Sequence, residues 1–162
     1  MSANFENKKQ IVEEITNYAK QAKAVVLVDY RGLTVEQVTE LRNAYRKAGA
    51  VYKVYKNRLM KIAFDACGMN FKTEDLEGTT AVAFCSSDAV VPAKIAVDGE
   101  EKYKVLKVKA GYCEGKYQTR DEVIALSKVP SKEVLVAQLL GLLTNPMRSF
   151  AVAVSEVAKK RA

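Results

Sequence analysis

The chain of 162 residues has no histidine and no tryptophan, and only three cysteines and three prolines. Without imidazole there is no ordinary group for acid-base work near neutral pH, for a Ser or Cys triad, or for nitrogen ligation of a metal. Cys67, Cys85 and Cys113 are odd in number, widely spaced and free of any CxxC pairing, so they read as small buried apolar residues rather than a disulfide framework or zinc site. The eight glycines form neither GxGxxG nor GxxxxGK[ST], which removes the phosphate-cradling loops of nucleotide-binding enzymes. The carboxylate pairs Glu13-Glu14, Glu74-Asp75 and Glu100-Glu101 are adjacent in sequence, where side chains diverge, and surface solvation accounts for them better than catalysis. No cofactor or metal is implied. The longest apolar runs, residues 24–28 and 134–143, fall short of a membrane span, and the first residues lack a signal-peptide apolar core. The expectation is a cytosolic protein with no membrane partner.

Positive charge, by contrast, is in excess and unevenly placed. The formal net charge is +7: residues 1–66 hold 12 basic against 7 acidic side chains, residues 67–130 hold 9 against 10, and residues 131–162 hold 5 against 2. Between Arg42 and Lys61 stand Arg42, Arg46, Lys47, Lys53, Lys56, Arg58 and Lys61 with no acid, interleaved with Tyr45, Tyr52 and Tyr55. Cations neutralise phosphates and release counterions, and tyrosine rings offer faces for unpaired bases, so the mixture suits RNA. A solvated basic face is the plainer alternative.

At 49% hydrophobic residues the chain can bury a core, and its patterning divides into a globular part, residues 1–130, and a helical tail, residues 131–162. Residues 5–20 repeat Phe5, Ile11, Val12, Ile15, Tyr18 and Ala19 at helical spacing; residues 24–28 run apolar, as a strand buried on both faces does. Thr34 and Gln37 form a capping box for a helix burying Val35, Val38, Leu41 and Ala44 or Tyr45, with Gly49 after its last turn. A strand over residues 51–56 leads to Asn57, the expected N-cap of a helix over residues 58–67 that Gly68 ends. Strand, helix and strand in this order predict a parallel βαβ unit within a mixed sheet, flanked by helices: an α/β fold. Further on, residues 80–85 read as a strand, Asp88 as the cap of a helix to Val97, residues 105–117 as a twisted pair or long bent strand, and residues 119–127 as a helix.

In the tail, Ser131 opens one helix over Val134 to Leu143, and Asn145-Pro146 signals a second, separate helix to about Lys160. Met147, Phe150, Ala151, Val154 and Ala158 fall at i, i+3, i+4, i+7 and i+11, with Val157 widening the stripe. Such a stripe requires a partner. In the globular part, loops following parallel strands share one sheet edge, where ligands of open α/β folds bind, so Arg31-Gly32 and Asn57-Arg58 should be neighbours and Lys8 and Lys9 should return to the same edge. Arg58 and Lys61 occupy a helix first turn, where cations are disfavoured unless an anion sits between them and the dipole; extension into water is the plainer account.

Several motifs occur in register along the whole chain: Asp29-Tyr30-Arg31-Gly32-Leu33-Thr34-Val35, Glu40-Leu41-Arg42 with Arg46-Lys47-Ala48-Gly49, Lys56-Asn57-Arg58-Leu59, Leu76-Glu77-Gly78-Thr79-Thr80-Ala81, Val91-Pro92-Ala93-Lys94, and Val129-Pro130-Ser131-Lys132-Glu133 with Leu139-Leu140-Gly141. In this order they resemble the bacterial stalk-base protein of the large ribosomal subunit, the large-subunit protein ten family. The resemblance implies a structural, non-enzymatic ribosomal protein of the cytoplasm. Its globular domain would bind large-subunit rRNA beside large-subunit protein eleven. Its C-terminal helix would carry dimers of the acidic stalk protein, large-subunit protein seven/twelve, which recruit translational GTPases. On that reading Lys8, Lys9, Arg31, Gly32, Lys53, Lys56, Asn57, Arg58 and Lys61 form the rRNA face, and Met147, Phe150, Ala151, Val154, Val157 and Ala158 form the docking rail. The short tail leaves room for two dimers. Tyr30 stands where many family members have a small residue, and it either stacks on RNA or packs.

Two other readings start from the same residues. A small enzyme acting on a phosphorylated substrate at the sheet edge is opposed by the missing histidine and glycine loop. A DNA-binding regulator dimerising through the tail would need a helix-turn-helix pair, and the pattern contains none.

Overall fold

The computed structural model describes residues 3–86, 88–113 and 115–161, with side chains from residue 6 to residue 160. Phe5, which opens the stripe expected for the first helix, lies outside the described side chains. The chain divides into two compact units, Met1–Val129 and Pro130–Ala162.

Unit one is a five-stranded sheet with helices on both faces. In order come α1 (Ala3–Gln21), β1 (Ala24–Asp29), α2 (Val35–Lys47), β2 (Ala50–Val54), α3 (Asn57–Ala66), a one-turn 3₁₀ helix (Thr73–Leu76), β3 (Ala81–Cys85), α4 (Val91–Tyr103), β4 (Lys107–Cys113), β5 (Lys116–Thr119) and α5 (Arg120–Ser127). The strands lie in the order β2-β3-β1-β4-β5, and every pairing is antiparallel. The expected parallel βαβ pair is therefore corrected. β1 and β2 do point the same way, but β3 lies between them, paired to both. Burial explains the choice. All five residues of β3 are buried, whereas β2 is only partly buried and carries Lys53. The all-apolar strand takes the interior place and the lysine-bearing one goes to the edge, where a charge is tolerated and discourages further pairing.

The run of apolar residues in β1 serves both layers. Val25 and Leu27 join Ile15, Met60, Phe64 and Phe84 in a core with α1 and α3; Val26 and Val28 join Leu41, Tyr45, Ala93, Ala96 and Val123 in a second core with α2, α4 and α5. Alternate side chains of a strand point to opposite faces, so only a helix layer on each side satisfies five consecutive apolar residues.

The capping box opens α2 as expected: Gln37 N–H donates to Thr34 Oγ1 at 3.4 Å, and Thr34 N–H donates to Gln37 Oε1 at 3.0 Å. Leu41 and Tyr45 are buried, but Val35, the first residue after the cap, projects past the core and is 84% exposed. Asn57 is not the cap of α3 but its first residue, and Lys56 precedes it with no side-chain bond. Nor is Asp88 the N-cap of α4, a position that Val90 takes. α4 starts at Val91 with Pro92 in its first turn, whose fixed φ suits that position, and runs six residues beyond Val97. Residues 105–117 resolve into the β4–β5 hairpin.

Unit two is a single helix, α6 (Lys132–Arg161), of 30 residues with Pro146 inside it. The expected break at Asn145-Pro146 is absent. Proline removes one N–H, which would have donated to the Leu142 carbonyl, and this interrupts the ladder locally while the bonds on either side can persist. At about 1.5 Å per residue the helix is about 45 Å long.

Candidate nucleic-acid interface and docking helix

Because β1 and β2 run in the same direction and β3 runs against them, three chain segments meet at one edge of the sheet. These are the turn after β1, the entry to α3 after β2, and the loop entering β3. That last loop is stitched to its neighbours. Thr79 Oγ1 donates to the Asp29 carboxylate, which also accepts from Arg31 N–H at 3.0 Å. Asn57 Nδ2 donates to the Gly78 carbonyl at 2.7 Å. Lys109 Nζ donates to the carbonyls of Glu77 at 2.6 Å and Thr79 at 3.2 Å, and to Thr80 Oγ1 at 2.8 Å. Lys109 reaches them from a β-bulge: Leu27 faces Ala110 and Val28 faces Val108, which leaves Lys109 as the extra residue in β4. Burial works to raise the Asp29 carboxyl. The Thr79 hydroxyl, the Arg31 N–H and the Lys109 and Arg31 charges outweigh it and hold the carboxyl below its ordinary range.

Over this floor opens a cleft of about 810 Å³, with Lys8, Lys56, Asn57 and Arg58 on its rim, Tyr30, Tyr55 and Leu59 on its walls, and Gly78, Thr79 and Thr80 below. The first turn of α3, which faces it, contains no acidic residue. Of the nine residues expected on this face, four thus line one cleft, and Lys9 lines an adjoining hollow with Lys8. Arg31 and Gly32 form the neighbouring turn. Gly32 has φ +89, and a Cβ there would come within 2.7 Å of Val105 Cγ1, so the turn requires glycine. Lys53 and Lys61 are not on the rim. Lys53 pairs with Glu14 and lies 4.9 Å from the Tyr18 ring centre, while Lys61 Nζ donates to Thr73 Oγ1 at 3.2 Å.

The basic run from Arg42 to Lys61 is consequently not one patch. Arg46 and Lys47 end α2, at the sheet edge remote from the cleft, where cations are favourable with the helix dipole. Of the three tyrosines in the run, Tyr55 lines the cleft, but Tyr45 and Tyr52 are not free stacking platforms. Tyr45 is fully buried and stacks on Tyr52 with ring centres 5.2 Å apart, and Tyr30 packs against the same core. Sequence reasoning missed Lys109 and the floor formed by Gly78, Thr79 and Thr80. Lys109 reads as an ordinary outward residue in strand alternation until the bulge is known.

Along α6 every described side chain is exposed, apolar ones included: Met147 is 78% exposed, Phe150 73%, Val154 54% and Val157 53%, with Ala151 and Ala158 beside them. The apolar surface does not stop at the expected stripe, because Leu139, Leu140, Leu142 and Leu143 are exposed to a similar degree. Among the described residues no cluster of His, Cys, Asp and Glu could hold a metal, and no helix is long and apolar enough to cross a membrane.

A body with a cation-lined cleft, followed by a helix whose described apolar side chains are all exposed, has the surfaces of a protein that works within an assembly. Comparison gives that class its family. Residues 3–100 match the family model for ribosomal protein L10, and residues 129–162 match that for the ribosomal protein uL10 C-terminal region. Large ribosomal subunit protein uL10 of Bacillus licheniformis is 42% identical over 161 residues, covering 99% of this chain and 97% of that one. The proteins of that name from Alkaliphilus metalliredigens and Bacillus cereus are 44% and 43% identical over the same span. The chain belongs to the ribosomal protein L10 family, and as such is a constituent of the large ribosomal subunit that works in translation, in the cytoplasm.

Proposed function

We propose that the protein joins rRNA to the acidic stalk protein: unit one holds large-subunit rRNA at the stalk base, beside large-subunit protein eleven, and α6 carries dimers of large-subunit protein seven/twelve that recruit translational GTPases. The observation that carries this reading is the exposure of α6. A 30-residue helix with Met147, Phe150, Val154 and Val157 all more than half exposed is poorly suited to standing alone in water, and an amphipathic or apolar helix is ordinarily covered by a partner groove. The net charge of +7 favours an acidic partner and a polyanion together. On the body, the rim of Lys8, Lys56, Asn57 and Arg58, with Lys9 and Arg31 close by, supports phosphate contact. Co-purification with the acidic protein, followed by binding to a folded stalk-base rRNA fragment and to duplex DNA, tests both halves. The expected result is a stable protein complex that binds the rRNA fragment and discriminates against the DNA. Equal affinity for both nucleic acids would reduce unit one to a nonspecific cationic surface.

A further inference from the structure

The cleft is apolar as well as cationic. Val54 and Ile62 are 42% and 56% exposed in its lining, and it shares Lys8, Leu59 and Ile62 with an adjoining hollow of about 380 Å³ that Lys9, Val12 and Glu13 also line. Phosphates gain nothing from such a wall. An RNA duplex meets proteins through its phosphates and 2′-hydroxyls and would bridge the opening without filling it, whereas an unstacked nucleotide has both a π-face to bury and a phosphate on a short tether. Resting on the rRNA reading above, we propose that the cleft and hollow receive one unstacked nucleotide of the rRNA, its phosphate against Lys56 and Arg58 and its base on Leu59 and Ile62.

The test uses the full chain and an in vitro transcribed stalk-base rRNA fragment, titrated at several salt concentrations, together with a set of fragments each carrying one abasic loop position. Ile62 is exposed, so Ile62→Ser should keep the fold, checked by circular dichroism. Ile62→Ser is expected to weaken binding about tenfold without changing the slope of log affinity against log salt, since apolar contact rather than charge is lost. One abasic position should weaken the parent chain by a similar factor and weaken Ile62→Ser no further. Arg58→Ala should instead lower the salt slope by about one. If Arg58→Ala weakens binding while Ile62→Ser and every abasic fragment behave as the parent, no base enters and the inference is overturned with the rRNA face intact. If neither variant weakens binding, the rRNA reading itself falls. If Ile62→Ser binds rRNA normally but loses a ribosomal protein from reconstituted subunits, the hollow is a protein contact and the inference is again overturned.

Discussion

Asn57 Nδ2 donates to the Gly78 carbonyl at 2.7 Å, fastening the first turn of α3 to the loop that enters β3. The side chain that the sequence suggests as a helix cap thus joins two segments 21 residues apart, and this bond helps hold the cleft floor against its rim. Asn57→Ala should cost about 1 kcal/mol of stability, the net worth of one such bond, measured by urea unfolding. Asn57→Asp should cost more, because a carboxylate cannot donate to the carbonyl. In both variants rRNA affinity should fall while the circular dichroism spectrum is kept; unchanged affinity would show that the floor need not be fixed.

The rim predicts a steep response to salt. Six or so phosphate contacts would lower affinity on the order of a thousandfold between 50 and 200 mM salt, and a flat response would contradict the electrostatic account. Arg31→Ala and Arg58→Ala should weaken binding, whereas Lys128→Ala, outside the proposed face, should not. Equal losses at all three would relocate the face. Lys53→Ala removes an ion pair of half-exposed groups, and its effect on stability should stay under about 1 kcal/mol.

Local signals made much of this legible, and long-range competition accounts for the rest. The apolar run of β1 and the Thr34–Gln37 box depend on residues near in sequence, and both elements stand where the sequence places them. Nothing local says which strand pairs with which, so β3 taking the place beside β1 could not be read from the β1–α2–β2 pattern. The edge shared by the ends of β1 and β2 nevertheless survives, because it depends on their direction and not on adjacency. Lys109 was hidden by a bulge, and the tyrosines among the basic residues concealed a core pair. Asn145-Pro146 has the chemistry of a helix start, yet α6 passes through it.

The Tyr45–Tyr52 pair predicts alkaline instability. Burial raises the Tyr45 hydroxyl well above its ordinary value, Tyr52 adding to the effect, and burial pushes Tyr52 up to about 12 against the opposing pull of Arg42. Folded pKa values above the unfolded value near 10 mean that the native state retains protons the unfolded chain releases. Stability is therefore complete below about pH 10 and lost as pH rises toward 12 and beyond. Among the described residues the Tyr45 hydroxyl finds no hydrogen-bond partner, so Tyr45→Phe should be neutral or stabilising at pH 7 and should flatten the alkaline loss, as urea midpoints between pH 8 and 11 would show. A loss above about 1 kcal/mol at pH 7 would mean that the hydroxyl is satisfied.

The last prediction concerns α6. Phe150→Asp or Val154→Asp would place an unpaired charge in a helix-groove interface, costing about 3 kcal/mol or more in stalk-protein affinity and leaving rRNA binding intact. Deleting residues 146–162 should leave unit one folded; if the body unfolds, the stripe is core packing and not a rail. Two apolar clusters, Met147-Phe150-Ala151 and Val154-Val157-Ala158, each match one partner contact, so native mass spectrometry of the reconstituted complex should show one copy of this chain with four of the acidic protein. The continuity of α6 through Pro146 gives a sharper alternative. Leu139, Leu140, Leu142 and Leu143 are 57%, 58%, 67% and 68% exposed on the same helix, so a complex with six acidic chains would assign them a third dimer. Leu140→Asp with Leu143→Asp separates the two cases: it should leave a five-chain complex unchanged, but would reduce a seven-chain complex to five.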